Sequence, residues 1–252
     1  MPTAMEKGAV KFFNTKELAN FPTDIVCEVP LSLYLNGEKI STIACTGLHL
    51  RELAVGFFRS EGLLVTRDEI KDVLVVEGPE PAVYVYTSEQ NQPRREVNSI
   101  APGGARARDG NGAGLKPFEG VSLKLSPQNI LDLMEELQQA SVIHEATRGT
   151  HCSGLAASSG MILTREDIGR HNTVDMIGGH MLLEGMEGSD RTIVTTGRVS
   201  SEIVTKVRAM GVPVIVSHSA PTTRAIVLCR ELAMTLIGCV RGGTFRVYTG
   251  FE

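Results

Sequence analysis

Four short stretches of this 252-residue chain concentrate the residue types that do chemistry. The first is Glu166-Asp167-Ile168-Gly169-Arg170-His171-Asn172. The next two are Gly197-Arg198-Val199-Ser200-Ser201 and Ser217-His218-Ser219-Ala220-Pro221-Thr222-Thr223-Arg224. Each follows an apolar run and precedes a helical pattern, so each reads as a strand-to-helix turn. Ligands of open α/β sheets bind outside the carboxyl ends of parallel strands. The following helix N-termini offer unpaired N–H groups and partial positive charge, which suit phosphate oxygens, and arginine adds a planar donor fork. The fourth stretch, Cys239-Val240-Arg241-Gly242-Gly243-Thr244, places an arginine and two glycines after the last core strand, where the backbone could approach a ligand closely.

Each feature alone has a plainer explanation. Ser, Thr, Asp and Asn at such turns are ordinary helix caps, a lone His171 is a common structural residue, and Gly242-Gly243 is a common turn. Three turns that also carry arginine and histidine point to a site. Five cysteines, Cys27, Cys45, Cys152, Cys229 and Cys239, are too widely spaced for a CxxC metal or thiol-exchange pair, and their odd number argues against a disulfide framework. Cys27, Cys45 and Cys229 lie in apolar runs and read as packing residues. Cys152 differs, because it lies in the polar stretch Thr150-His151-Cys152-Ser153-Gly154. It is the candidate nucleophile, although neighbours on a strand point to opposite faces, so His151 is not thereby its base.

The elements that must position these residues are legible in outline. Alternation through Ile25, Cys27 and Val29, then Leu31, Leu33 and Leu35, predicts a strand that turns at Asn36-Gly37 and returns over 39–45. Leu50, Leu53, Ala54, Phe57 and Phe58 recur at helical spacing over 49–59, ending near Gly62. A further strand is expected over 83–86. Ser126-Pro127 supplies a cap and first turn for a helix carrying Ile130, Leu133, Met134 and Leu137. From Gly160 onward, strands over 161–164, 192–195, 212–217 and 236–240 alternate with helical segments of crossover length, closed by a strand over 245–248. The stretch 100–117, rich in glycine and arginine, predicts a mobile loop.

Composition bounds the function. An apolar fraction of 42%, a charged fraction of 21% and no apolar run near membrane-spanning length predict a soluble globular protein. The charged first residues lack the apolar core of a secretory signal, so a cytoplasmic location is expected. A net charge of -4 offers no general attraction to nucleic acid, so an anionic ligand needs a local site.

In order along the chain, several blocks resemble one family. They are Cys45-Thr46 with Leu50, Glu52-Leu53-Ala54, Gly56-Phe57 and Ser60-Glu61-Gly62; the 166–172 block with Asp175; Thr196-Gly197-Arg198; the segment 217–223; and Arg241-Gly242-Gly243 with Val247-Tyr248. The chain is thereby similar to the formate dehydrogenase accessory proteins of the FdhD type over roughly 30–250. The resemblance implies a layered α/β fold of the cytidine-deaminase kind with a smaller N-terminal strand-helix region, and a homodimer. It also implies sulfur transfer from a cysteine desulfurase toward the molybdenum cofactor of formate dehydrogenase. The cargo would be the molybdenum bis(molybdopterin guanine dinucleotide), held by Cys239, Val240, Arg241, Gly242, Gly243 and Thr244 with Gly197, Arg198, Ser217, His218, Ser219, Arg170, His171 and Asn172. No metal site, nucleic acid or membrane is expected, and the zinc signature of deaminases is absent from the sequence. The chain divides into an N-terminal extension (1–22), a strand and helix region (23–99), the flexible loop (100–117) and the main cofactor-binding domain (118–252).

One departure bears on the chemistry. The family's persulfide cysteines lie in a glycine-rich loop whose counterpart here, Ala101-Pro102-Gly103-Gly104-Ala105, has no sulfur. Persulfide transfer requires a thiolate. Two readings therefore stand: a sulfurtransferase that uses another thiol, Cys152 being the candidate, or a non-catalytic cofactor chaperone. A third, an unrelated nucleotide-using enzyme, would need an acid or base from Glu166, Asp167, His151, His171 or His218.

Overall fold

The computed structural model describes residues 4–13, 16, 18–88, 115–119 and 125–250. The chain begins with an antiparallel ribbon of β1 (Met5–Phe13) and β2 (Leu18–Val26). β3 (Val29–Leu35) and β4 (Glu38–Cys45) form the expected hairpin, whose turn residues Asn36 and Gly37 both take positive φ, 51° and 85°. After α1 (Leu50–Ser60) come β5 (Ile70–Val76) and β6 (Ala82–Thr87), which complete a four-stranded sheet in the order β4-β3-β6-β5. α2 (Pro127–Ala140) starts on a capping box at Ser126 and Asn129, and α3 (Val142–Thr147) follows.

The larger sheet comprises β7 (His151–Ala157), β8 (Gly160–Asp167), β9 (Thr192–Thr195), β10 (Val214–Ser217), β11 (Thr235–Arg241) and β12 (Thr244–Thr249). Its order is β12-β11-β10-β9-β7-β8. β9, β10 and β11 are parallel and joined through α5 (Ser201–Ala209) and α6 (Thr223–Glu231). β7 lies between β8 and β9 and runs antiparallel to both, while from Gly160 onward strands and helices alternate as expected, β8 to β11 being separated by α4, α5 and α6. β8 leads into α4 (Arg170–Leu183), which is buried around most of its circumference.

Three apolar clusters stack the layers. One packs α4, α5 and α6 on one face of the large sheet, a second packs α2 on its other face, and the third fills the space between α1 and the small sheet. Met176 and Leu182 of α4 belong to that third cluster, so the small sheet is joined to the large one through the α1–α4 contact. The helices touch at glycine. A Cβ added to Gly56 would lie 1.7 Å from the Asp175 carbonyl oxygen, and one added to Gly179 would lie 1.8 Å from that of Glu52. Mixed α/β layering is as expected, whereas the β1–β2 ribbon and β5 were not anticipated. Of the loop 100–117, only 115–117 fall within the described residues, and the 101–105 position lies outside them. Among the described residues no helix is long and apolar enough to cross a membrane.

Candidate functional site

Because β8, β9, β10 and β11 all run the same way and β7 runs opposite, one sheet edge gathers the ends of the first four and the start of β7. All of the turns singled out in the sequence lie on this edge, but their side chains divide into two groups.

Most are framework. Asp167, fully buried, accepts from the Thr46 amide (2.8 Å) and hydroxyl (2.9 Å), the Gly169 amide (3.0 Å) and the Asn172 side chain (2.6 Å). Burial pushes its pKa up despite these four donors. Asn172 also donates to the Ala44 carbonyl at 2.8 Å. Glu166 accepts from the Ile143 and His144 amides and caps α3. Ser217 donates to the Gly197 carbonyl (2.9 Å), Ser219 donates to that of Thr196 (2.8 Å), and the Cys239 amide donates to that of Ser219 (3.1 Å), so the β9, β10 and β11 turns are stitched together.

The second group has polar atoms left over. Arg170 Nε, His171 Nδ1 and Ser200 Oγ are buried and have no hydrogen-bond partner among the described residues. Arg170 and His171 open α4, and Ser200 is the N-cap of α5; neither helix has a side-chain cap. Helix geometry leaves their first-turn N–H groups without intrahelical partners. Gly197 is required here, since a Cβ would lie 2.9 Å from that of Arg170. His171 Nε2 stands 3.5 Å from Glu202 Oε2. Burial, with Lys206, Arg170 and His151 close by, pushes the His171 pKa down to about 3. His151 is also shifted down, by burial first and then by Arg170 and His144. Lys206 donates at 2.6 Å to each oxygen of Asp175, which also accepts from Ser60. Two donor-rich helix ends, an arginine and a neutral imidazole therefore converge where a polyanion with a polar head could sit.

Arg198 is exposed, and His218 is partly exposed. Arg241 and Thr244 bracket an exposed β11–β12 turn in which Gly242 and Gly243 take φ of 57° and 71°. Those glycines are accounted for by the turn, and Val240 beneath them is buried. Cys239 is partly exposed with φ of 56°, its sulfur 3.6 Å from the Tyr248 hydroxyl.

Cys152 shares the edge only through its backbone, which exchanges bonds with Thr196. Ser153 points toward α4, bonding Thr173 at 2.7 Å, so Cys152 points the other way, into the cluster under α2. It is fully buried, and burial pushes its thiol up to about 11. As placed, this sulfur is a packing group. Sequence reasoning singled out neither Glu202 nor Lys206; both lie one face of α5 beyond the turn, and only the packing of α5 on α4 brings them in.

The other polar cluster is distant. Glu52 accepts from Arg165 (2.6 and 2.8 Å) and lies 3.0 Å from His180 Nδ1, beside an open groove of about 1070 Å³ lined by α1, β5 and the end of α4. It lies at the opposite end of α4 from Arg170.

A family model described as the FdhD/NarQ family matches residues 26–252. The sulfur carrier protein FdhD of Bacillus subtilis is 36% identical over 241 residues, covering 92% of this chain and 91% of that protein. That of Listeria innocua is 34% identical over 255 residues, covering 98% of each. A crystal structure described as a formate dehydrogenase accessory protein from Desulfotalea psychrophila superposes with a TM-score of 0.84 at 22% identity, covering 98% of both chains.

Proposed function

The chain belongs to the FdhD/NarQ family, and from that premise we propose that it is a maturation factor for formate dehydrogenase that binds the molybdenum bis(molybdopterin guanine dinucleotide) as cargo. The observation that carries this reading is the convergence of unsatisfied Arg170 Nε, His171 Nδ1 and Ser200 Oγ on two helix N-termini without side-chain caps. Pyrophosphate oxygens would take the first-turn N–H groups, with Arg170 and the exposed Arg198 adding charge. Gly197 keeps the backbone low enough for such an approach. Under the same reading the partners are the dehydrogenase and a cysteine desulfurase, and the chain works as a homodimer in the cytoplasm.

Sulfur handling divides the reading. The relatives are sulfur carriers by name, but the 101–105 segment has no thiol and Cys152 is enclosed. These two observations favour a cofactor chaperone. The test is transfer of labelled sulfur from a desulfurase and cysteine, with GDP calorimetry run in parallel. The expected outcome is GDP binding by the wild type with no label on Cys152. Persulfide label on the wild type that disappears in Cys152→Ser, with folding and GDP binding intact, would restore the carrier reading.

A further inference from the structure

The β1–β2 ribbon has an apolar face that no element among the described residues covers. Its antiparallel register sorts the side chains into two sets. Lys7, Lys11, Asn20 and Asp24 share one face, where Lys7 pairs with Asp24. Val10, Phe12, Phe21 and Ile25 share the other; the Phe12 and Phe21 rings lie 5.6 Å apart, and Ile25 folds over Gly8. Such alternation is the pattern of strands buried on one side, yet Phe12 is 54% exposed and Phe21 53%. The ribbon is fixed at its base, where Val26 packs on Gly149 and the Cys27 amide donates to the Ala4 carbonyl at 2.8 Å. A two-stranded ribbon on its own is marginally stable in water, so the open face calls for a cover. The longest stretch outside the described residues, 89–114, is a poor match, since Val97 and Ile100 are its large apolar side chains among repeated glycines and arginines.

A second apolar face stands open on the same chain. The small sheet buries Leu31, Leu33, Val83 and Val85 on its α1 side. Its other side carries Leu74, Tyr84 and Tyr34 in register across β5, β6 and β3, with the two tyrosine rings stacked at 4.4 Å. Leu74 is 51% exposed, and Val76 and Tyr86 beside it are exposed as well. Ribbon and sheet leave each other's faces open although Cys27 and Glu28 alone separate β2 from β3. We propose that two copies of this chain exchange ribbons, the apolar ribbon face of each lying on the outer face of the other's small sheet. This rests on the homodimer reading given above and names its contact surface. Area selects the arrangement. Each face offers roughly 350 Å² of apolar surface, on the scale of about 150–250 Å² for a fully buried Phe or Tyr. Ribbon against ribbon would bury roughly 700 Å² in all, short of the roughly 1,200–2,000 Å² of a stable specific interface, whereas two ribbon-on-sheet contacts bury roughly 1,400 Å². A reciprocal pair also closes under two-fold symmetry, leaving neither face open.

The test is sedimentation velocity of the full chain over a concentration series, with circular dichroism to establish folding. The variants are Phe21→Lys on the apolar ribbon face, Asn20→Lys on the polar one and Leu74→Lys on the sheet, an element that does not depend on the ribbon for its fold. Exchange predicts a wild-type dimer whose dissociation constant rises roughly thirty-fold or more in Phe21→Lys and in Leu74→Lys and holds in Asn20→Lys. Mixing Phe21→Lys with Leu74→Lys is expected to give a pair tighter than either variant alone, because one ribbon-on-sheet contact is then intact. A wild-type dimer that Leu74→Lys leaves unchanged overturns the exchange while the homodimer reading stands. Equal weakening by Asn20→Lys and Phe21→Lys overturns it too, since the face would not matter. A monomeric wild type overturns both the exchange and the homodimer reading. Co-sedimentation of that monomer with vesicles of phosphatidylcholine and phosphatidylglycerol would then assign the ribbon face to a lipid surface, and its absence would assign the face to a different protein.

Discussion

The fold holds His171 in its neutral form, and that control has a sign. Its pKa falls from 6.5 to about 3 on folding. Above about pH 6.5 neither the folded nor the unfolded imidazole is charged, and the full stability is present. Below that, the unfolded chain takes up a proton that the native state refuses until about pH 3, so stability is lost progressively through this window, at no more than about 1.4 kcal/mol per pH unit. Urea unfolding at about pH 7 and about pH 5 is expected to show wild type losing more stability than His171→Asn, in which the other depressed histidines, His49 and His151, remain as common background. Equal losses in the two proteins would show that His171 is not held neutral. The same scale shows what the sequence conveys. Arg170, His171 and Asn172 stand together as candidates in the chain, but Asn172 bonds Asp167 and the Ala44 carbonyl and is framework. A partner 128 positions away leaves no mark in local pattern. For Cys152, alternation on a strand was foreseeable; which of the two faces α2 covers was not.

At the scale of elements, the α1–α4 crossing positions the Arg170 end of α4. Gly56 and Gly179 let the backbones meet, so Gly56→Ala drives a Cβ to within 1.7 Å of the Asp175 carbonyl oxygen and must push the helices apart. Overpacking of this kind costs about 1–3 kcal/mol, and more where backbone rather than side chain must yield. Gly178→Ala is the internal comparison, since its Cβ would meet only the flexible end of Met210 at 2.7 Å. Denaturant midpoints are expected to fall clearly for Gly56→Ala and little for Gly178→Ala; the reverse order would contradict the crossing. Neither glycine announces this role in sequence, and α4 itself, buried on nearly all sides, lacks the one-sided stripe that marks α1. Elements with local signals were legible: the Asn36-Gly37 turn, the Ser126-Pro127 start of α2, and β9 over 192–195. The direction of β7 was not, because alternation says where a strand is and nothing about which neighbour it pairs with.

At the scale of the whole molecule, the small sheet looks dispensable to a site built on the edge of the large one, but the hydrogen bonds contradict this. The end of β4 is bound to the end of β8 through Thr46, which donates to Asp167, and to the first turn of α4 through the Ala44 carbonyl, which accepts from Asn172, and Arg59 at the end of α1 donates to the Gly178 and Ala209 carbonyls at 3.0 and 3.2 Å. Division into regions 23–99 and 118–252 follows the sequence but crosses these ties, which span more than 100 positions and so leave no local trace. Thr46→Val isolates the tie nearest the site, because it keeps the shape and the amide donor while removing the hydroxyl donor at 2.9 Å. Asp167 is fully enclosed, with a carboxyl already pushed up by burial, so the loss of one of its four donors leaves charge less compensated. The expected cost is about 1–3 kcal/mol in urea unfolding, with a weaker GDP affinity that follows from a looser α4 start rather than from any lost ligand contact. It should therefore weaken GDP and ADP alike. Thr46→Val with wild-type stability and affinity would mean that the small sheet does not brace the site.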